Sequence, residues 1–324
     1  MKIQDVSSVE VKEKGCPPAQ LVAPCICSAG PHPHLTCENI DDVEVLRKIF
    51  EKTSKYMFKE VHIEFSVLQY LPHDMFQGVD IRELHLKNVT LVQLFDEPPQ
   101  NLQTVEILHI ENTNVFRGMT WELLQNFTRL RILNIYFNSI PSLGSDFSDQ
   151  VSDSLEQISF YDTETELLKP GVFMGYRDLD KVAFDRCGIT TLTRNIFRRP
   201  SNIRFIYFNY NKIKVIPNDM FVEMPLLETL SLRENEIVTL PAPAFDGTLS
   251  TIKYLLLEGN PLTCDCRLHW LFRNKPERLS GTCDSPSGYR GLELKDFKMQ
   301  NLNTPCESSI VRNRAGTLLS APSG

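Results

Sequence analysis

No apolar run among the 324 residues approaches the ~18 that a membrane-spanning helix needs. Positive charge is scarce as well. The chain has 34 Lys and Arg against 41 Asp and Glu, and this net charge of −7 argues against a nucleic-acid binder. Residues 1–15 are polar and charged and hold no apolar segment of the secretory kind, so a secretion signal is expected to lie outside this stretch. The signatures G-x-S-x-G, H-E-x-x-H, the phosphate-binding loop and the dinucleotide fingerprint are all missing, so neither enzyme chemistry nor a cofactor is expected. Cysteine is nearly missing from the middle: of nine, only Cys187 lies between residues 38 and 263. The other eight form an early group (Cys16, Cys25, Cys27, Cys37) and a late group (Cys264, Cys266, Cys283, Cys306).

Between the two groups lies a repeat. Leu179, Val182, Phe184, Cys187, Ile189 and Leu192 set a pattern. It returns from Ile203 (with Asn211), from Leu227 (with Asn235) and from Ile252 (with Asn260), at intervals of 24, 24 and 25 residues. Traced backwards, the first position of the unit falls on Phe58, Ile81, Val105, Leu130 and Leu155, which makes nine units in all. The form L-x-x-L-x-L-x-x-N/C-x-L resembles the leucine-rich repeat. That resemblance implies an α/β solenoid, a horseshoe of about nine repeats with one short parallel strand each on the concave face. Its N/C position holds Ser66, Val89, Thr113, Asn138, Thr163, Cys187, Asn211, Asn235 and Asn260. An Asn there turns the chain and satisfies buried backbone groups of adjacent turns. Val89 cannot do this, so the second repeat is expected to be locally irregular. Phe76, Phe173, Phe197, Phe221 and Phe245 are expected to stack beneath the convex side as core. Cys187, at the N/C position, is expected to be a buried structural thiol rather than a reactive one.

A solenoid needs its apolar ends sealed. Cysteine groups at both ends point to disulfide-stapled caps in an oxidising compartment, whereas neither C-x-C pair has a partner at zinc-finger spacing. The early group allows three pairings, and its central C-x-C favours Cys16 with Cys27 and Cys25 with Cys37. Asp41 to Lys55 reads as a short helix with Asp41 or Asp42 as N-cap. The segment Cys264-Asp265-Cys266 followed by Leu268-His269-Trp270-Leu271 resembles the C-terminal cap of extracellular leucine-rich repeat proteins. By that resemblance Cys264 pairs with Cys283 and Cys266 with Cys306, and Trp270 covers the last repeat. The expected layout is a disordered lead (1–15), an N-terminal cap and helix (16–57), repeats (58–262), a C-terminal cap (263–306) and a disordered tail (307–324).

Pro24-Cys25-Ile26-Cys27, the run Leu35-Thr36-Cys37-Glu38-Asn39-Ile40, the helix to Phe50 and Leu71-Pro72-x-x-Met75-Phe76 add a narrower likeness. Together they resemble an arthropod group named after the Oplophorus-luciferin 2-monooxygenase non-catalytic subunit. In that enzyme the leucine-rich subunit associates with a small catalytic one, so the resemblance brings no catalytic residue to this chain.

The concave positions carry Tyr136, Phe137, Tyr161, Phe205, Tyr207, Tyr210 and Tyr254. Such aromatics supply low-entropy contact area for a protein partner, although cross-strand pairs also simply cover a sheet. His62, His85 and His109 occupy the central strand position of the first three repeats. Adjacent imidazoles are able to bind zinc or copper or to titrate together. A polar ladder flanked by Glu60, Glu64, Glu83 and Glu111 is the plainer expectation, so no metal is expected. Asn88-Val89-Thr90 and Asn126-Phe127-Thr128 are glycosylation sequons, Asn126 being the more accessible on its return loop. The expected function is a secreted, non-catalytic protein that binds an extracellular protein partner through its concave face. The same surface would serve an accessory subunit of a secreted enzyme such as a luciferase-type monooxygenase, a matrix component, or a homodimer contact.

Overall fold

In the computed structural model the described residues are Glu13, 15–30, 33–272 and 275–296. One sheet of twelve strands spans residues 26–280. We number them in chain order: β1 (Ile26–Ser28), β2 (His34–Glu38), β3 (Met57–Glu64), β4 (Asp80–Lys87), β5 (Ile107–Glu111), β6 (Ile132–Tyr136), β7 (Gln157–Tyr161), β8 (Lys181–Asp185), β9 (Phe205–Tyr207), β10 (Thr229–Ser231), β11 (Tyr254–Leu256) and β12 (Arg278–Ser280). The order in the sheet follows the chain, and every pairing is parallel except the antiparallel β1–β2. β3 to β11 are the nine repeat strands. Alternate residues point to opposite faces of a strand. Val61 and Ile63 of β3 are therefore buried while Glu60, His62 and Glu64 stay partly exposed, and β4 to β6 repeat this alternation.

The buried side is one continuous apolar column. Phe160, Phe184 and Phe208 stack behind the strands at centroid separations of 4.9 and 6.1 Å. The convex file holds Phe173 on Phe197 at 5.7 Å and Phe221 on Phe245 at 5.2 Å. Trp121 and Phe147, which the repeat alignment passes over, carry aromatic packing into the third and fourth repeats, edge to face at 4.9 Å. Arg194, fully buried, donates to the carbonyls of Val222, Phe197 and Arg198. It thereby satisfies convex-side backbone that has no strand partner.

The asparagine positions do the work that their spacing implies. Asn211 Oδ1 accepts from Cys187 N at 3.1 Å and Ile189 N at 3.0 Å, and its Nδ2 donates to Phe184 O at 2.7 Å. Asn235 and Asn260 repeat the arrangement one and two turns on. Ser66 and Thr113 do part of it with a hydroxyl. Cys187 is a free, buried thiol in contact with Thr163 Oγ1 at 3.3 Å, and burial pushes its pKa up. The second repeat is not irregular, contrary to expectation. β4 is eight residues long and in register with both neighbours. Backbone bonds replace the missing side-chain ones: Thr90 N donates to Ser66 O, Asn114 N donates to Val89 O, and Thr90–Leu91 pairs with Asn114–Val115.

β2 to β10 end in the same way. Asn39, Phe65, Asn88, Asn112, Phe137, Asp162, Arg186, Tyr210 and Glu234 all sit at φ between 46° and 57°, immediately before the N/C position or its counterpart in the cap. This left-handed residue turns the chain away from the sheet. It is a costly conformation for Phe and Tyr.

At the N-terminal end Cys16 is bonded to Cys27 and Cys25 to Cys37. The helix runs Val43–Lys52, shorter than Asp41 to Lys55, because Asp42 caps it by accepting from Glu44 N and the Thr53 hydroxyl bonds back to Ile49 O. Glu13 of the lead bonds Lys55 through its backbone and side chain, while the rest of the lead, 1–12 and 14, lies outside the described residues. At the other end Cys264 is bonded to Cys283. Cys266 is disulfide-bonded, and the expected partner Cys306 lies outside the described residues, as does the tail 307–324. Trp270 lies on Phe245 at 4.7 Å and donates to Leu240 O, sealing the last repeat.

Candidate functional site

The outward side chains of the sheet form three columns, each one residue per strand. The register of β2 to β8 sets their order. The central column reads Thr36, His62, His85, His109, Asn134, Ser159, Ala183, and passes on to Tyr207 and Ser231. One flank starts His34, Glu60, Glu83, and the other Glu38, Glu64, Lys87, Glu111, Tyr136, Tyr161, Asp185.

The histidines and the first tyrosines, separate features in the sequence, form one train of rings. His34 contacts His62 at 6.1 Å. His62 stacks on His85 at 4.2 Å with planes 2° apart, and His85 meets His109 at 5.5 Å. His109 then meets Tyr136 edge to face at 4.9 Å, and Tyr136 meets Tyr161 at 6.3 Å. Phe137 closes the end against Tyr161. His34 escaped the sequence reading because it belongs to the cap rather than to a repeat. It also stands in the flank column opposite Glu60, so the histidine file extended by one strand reaches Thr36 instead.

Carboxylates line both sides of the train. His62 has Glu60 Oε2 at 3.3 Å from Nε2 and Glu64 Oε1 at 3.3 Å from Nδ1. His109 Nε2 lies 3.3 Å from Glu111 Oε2. His85 Nε2 is buried, with Glu83 Oε2 3.5 Å away, too far for a firm hydrogen bond. Burial, followed by the neighbouring His62 and His109, pushes the His85 pKa below its ordinary value against the pull of Glu83. Burial would raise Glu60, but hydrogen bonds from His62 and Lys59 outweigh it and hold that carboxyl low. Lys59 Nζ bridges Glu60 Oε1 and Glu83 Oε1, each at 3.2 Å.

The later aromatics are set differently. Phe205 lies under the Arg204 guanidinium at 5.0 Å, Tyr207 near Lys181 at 5.8 Å and Tyr210 under Arg186 at 4.6 Å. Phe137 and Tyr210 are not strand residues but occupy the left-handed turn, where their rings are exposed at the rim. Tyr254 is exposed two strands beyond Phe205 in the same flank column. The seven aromatics therefore divide into Tyr136, Phe137 and Tyr161 in contact, and Phe205, Tyr207, Tyr210 and Tyr254 beyond Ser159 and Ala183. A polar chain runs alongside the second group. Asp185 accepts from Asn209 N, Asn209 accepts from Ser231 Oγ and Arg233 N, and Arg233 forks onto Glu258. Asn126 is half-buried on its return loop beside exposed Thr128. Asn88 accepts from Asn112 Nδ2 at 2.6 Å.

Among the described residues no helix is long and apolar enough to cross a membrane. The leucine rich repeat family profile matches residues 177–237 and 202–262. The Oplophorus-luciferin 2-monooxygenase non-catalytic subunit of Oplophorus gracilirostris is 22% identical, the match covering 94% of this chain and 91% of that one. Toll-like receptor 6 of Homo sapiens is 23% identical over 90% of this chain, which spans 41% of the receptor. A chain of the octameric complex of Latrophilin 3 (Lec, Olf), Unc5D (Ig, Ig2, TSP1) and FLRT2 (LRR) superposes with a TM-score of 0.60 at 18% identity, over 89% of this chain and 99% of that one. The chain has the leucine-rich repeat fold with disulfides near both ends, and it is similar to the Oplophorus subunit over nearly the whole length.

Proposed function

From this fold and this likeness we propose that the chain is a secreted, non-catalytic leucine-rich repeat protein that binds an extracellular protein partner through its concave face. The observation that carries the reading is the cluster of exposed Phe137 with half-buried Tyr136 and Tyr161 on a sheet held rigid by nine in-register repeats. Aromatic rings fixed in place before binding lose little entropy when a partner covers them. Three disulfides among the described residues agree with an oxidising compartment. A second reading, accessory subunit of a secreted enzyme, is favoured by the end-to-end match to a protein whose name calls it a non-catalytic subunit.

Affinity capture from the native secreted fluid tests both. The intact chain and a Tyr136→Ala/Tyr161→Ala variant are run side by side. Capture of one protein at fixed stoichiometry, weakened in the variant by about 2 kcal/mol per anchor or roughly 30-fold in Kd, supports a partner on this face. Equal capture by both would move the site elsewhere, and capture of a second copy of the chain would make the face a dimer contact.

A further inference from the structure

The histidine file carries more than ring contacts. We propose that Glu60, His62 and His85 form a binding site for a divalent transition metal of the zinc class on the concave face, with one coordination position left open. The fold brings the three together by register alone. Glu60 and His62 are two residues apart on β3 and so share a face, and His62 and His85 are register partners on adjacent strands. One ligand atom from each lies within 4.8 Å of the other two. Bonds of about 2.0–2.2 Å in a tetrahedral site put ligands about 3.3–3.5 Å apart. Closure therefore asks for side-chain rotation of the order of 1 Å and no backbone movement.

The donor set is two imidazoles and one carboxylate, which suits zinc and its neighbours rather than calcium or magnesium. The surroundings already have the form that such a site requires. Glu64 stands 3.3 Å from His62 Nδ1, placed to accept from Nδ1–H when Nε2, on the Glu60 side, takes a metal. Lys59 holds the Oε1 atoms of Glu60 and Glu83 and leaves both Oε2 atoms turned to the rings. His85 Nε2 is buried and has only the longer 3.5 Å approach of Glu83 Oε2, so a metal would give this atom a firmer partner than the protein does. The open position faces the concave surface, where water or a donor group of a bound protein would complete the sphere. His109 and His34 lie further along the file and outside the set.

The test uses the full chain, stripped with a chelator and titrated with ZnCl2 by calorimetry at pH 7.5. Co2+ absorption serves as a second readout of coordination number. One equivalent per chain is expected, with four-coordinate Co2+ bands. His62→Gln and His85→Gln should each weaken binding at least tenfold, and Glu64→Gln about 10–100-fold by loosening the second layer. His109→Gln should leave binding intact. Circular dichroism of each variant separates lost folding from lost ligands. Absence of stoichiometric uptake at micromolar Zn2+, or uptake that survives in the His62→Gln/His85→Gln double variant, would overturn the proposal. Failure here leaves the partner-binding reading untouched, because that rests on Tyr136, Phe137 and Tyr161.

Discussion

Phe137 meets Tyr161 edge to face, centroids 5.4 Å apart and planes at 76°, while its own backbone is held at φ 56°. The same position holds Asn in two neighbouring repeats, Asn88 and Asn112, and Asn tolerates that conformation where Phe does not. An exposed aromatic in a strained turn points to a surface function. Phe137→Asn should raise stability by about 1 kcal/mol by relieving the strain, while weakening partner capture. Urea unfolding and the capture assay together check this. A stability loss with capture unchanged would make Phe137 a packing residue.

Asn235 and Cys187 occupy equivalent positions with unequal bonding. Asn235 bonds Ile213 N and the carbonyls of Phe208, Leu232 and Arg233, whereas Cys187 offers only thiol contacts with Thr163, Phe160 O and Asp185 O. Asn235→Ala should cost about 2–4 kcal/mol, since it strands several buried backbone groups. Cys187→Ala should cost about 1–2 kcal/mol, chiefly from lost packing. Denaturant midpoints would rank them, and an equal loss would contradict the bonding account.

Acid should weaken the fold through His85. Its folded pKa lies below the value of 6.5 for the free side chain, so the unfolded chain takes up the proton first. The contribution is fully present above pH 6.5 and is lost as pH falls from there through the folded value. Glu60 acts lower down. Its folded pKa is depressed below 4.5, so its contribution is present above that value and lost as pH falls further. Stability of the metal-free chain should therefore decline from pH 7 to pH 5, and His85→Gln should flatten that slope. An unchanged slope in the variant would remove His85 as the cause.

Of the two sequons, Asn126 should be occupied and Asn88 under-occupied when the chain is made in secretory cells. Asn88 sits in a left-handed turn and its Oδ1 already accepts from Asn112. Mass shifts after glycosidase treatment would decide it, and full occupancy at Asn88 would contradict the expectation.

How much the sequence revealed depended on what kind of interaction was at stake. The nine strands and the bonds of Asn211, Asn235 and Asn260 repeat with the core period, so each copy reinforced the next. The N-terminal pairings followed from four closely spaced cysteines. What stayed hidden depends on rotamers across strands: the stacking of His62 on His85, the Lys59 bridge, and the join of His109 to Tyr136. The left-handed turn column was hidden for another reason. Backbone geometry there is set by the turn, and Phe65, Phe137 and Tyr210 bear none of the Gly or Asn signal that usually marks it. The regularity of the second repeat was missed because backbone pairing at Thr90 and Asn114 substitutes for a side chain, and main-chain bonds leave no mark in the sequence.

The ring train from His34 to Tyr161 crosses five strand intervals, β2 to β7. At ~4.8 Å per interval it is a ruler about 24 Å long, lying along the axis of the solenoid. A ligand that touches both ends must itself be elongated in that direction, as an extended segment of about seven residues would be at ~3.4 Å per residue. The spacing of the marks is fixed by backbone hydrogen bonds, so substitutions can change what each mark recognises without changing where it stands.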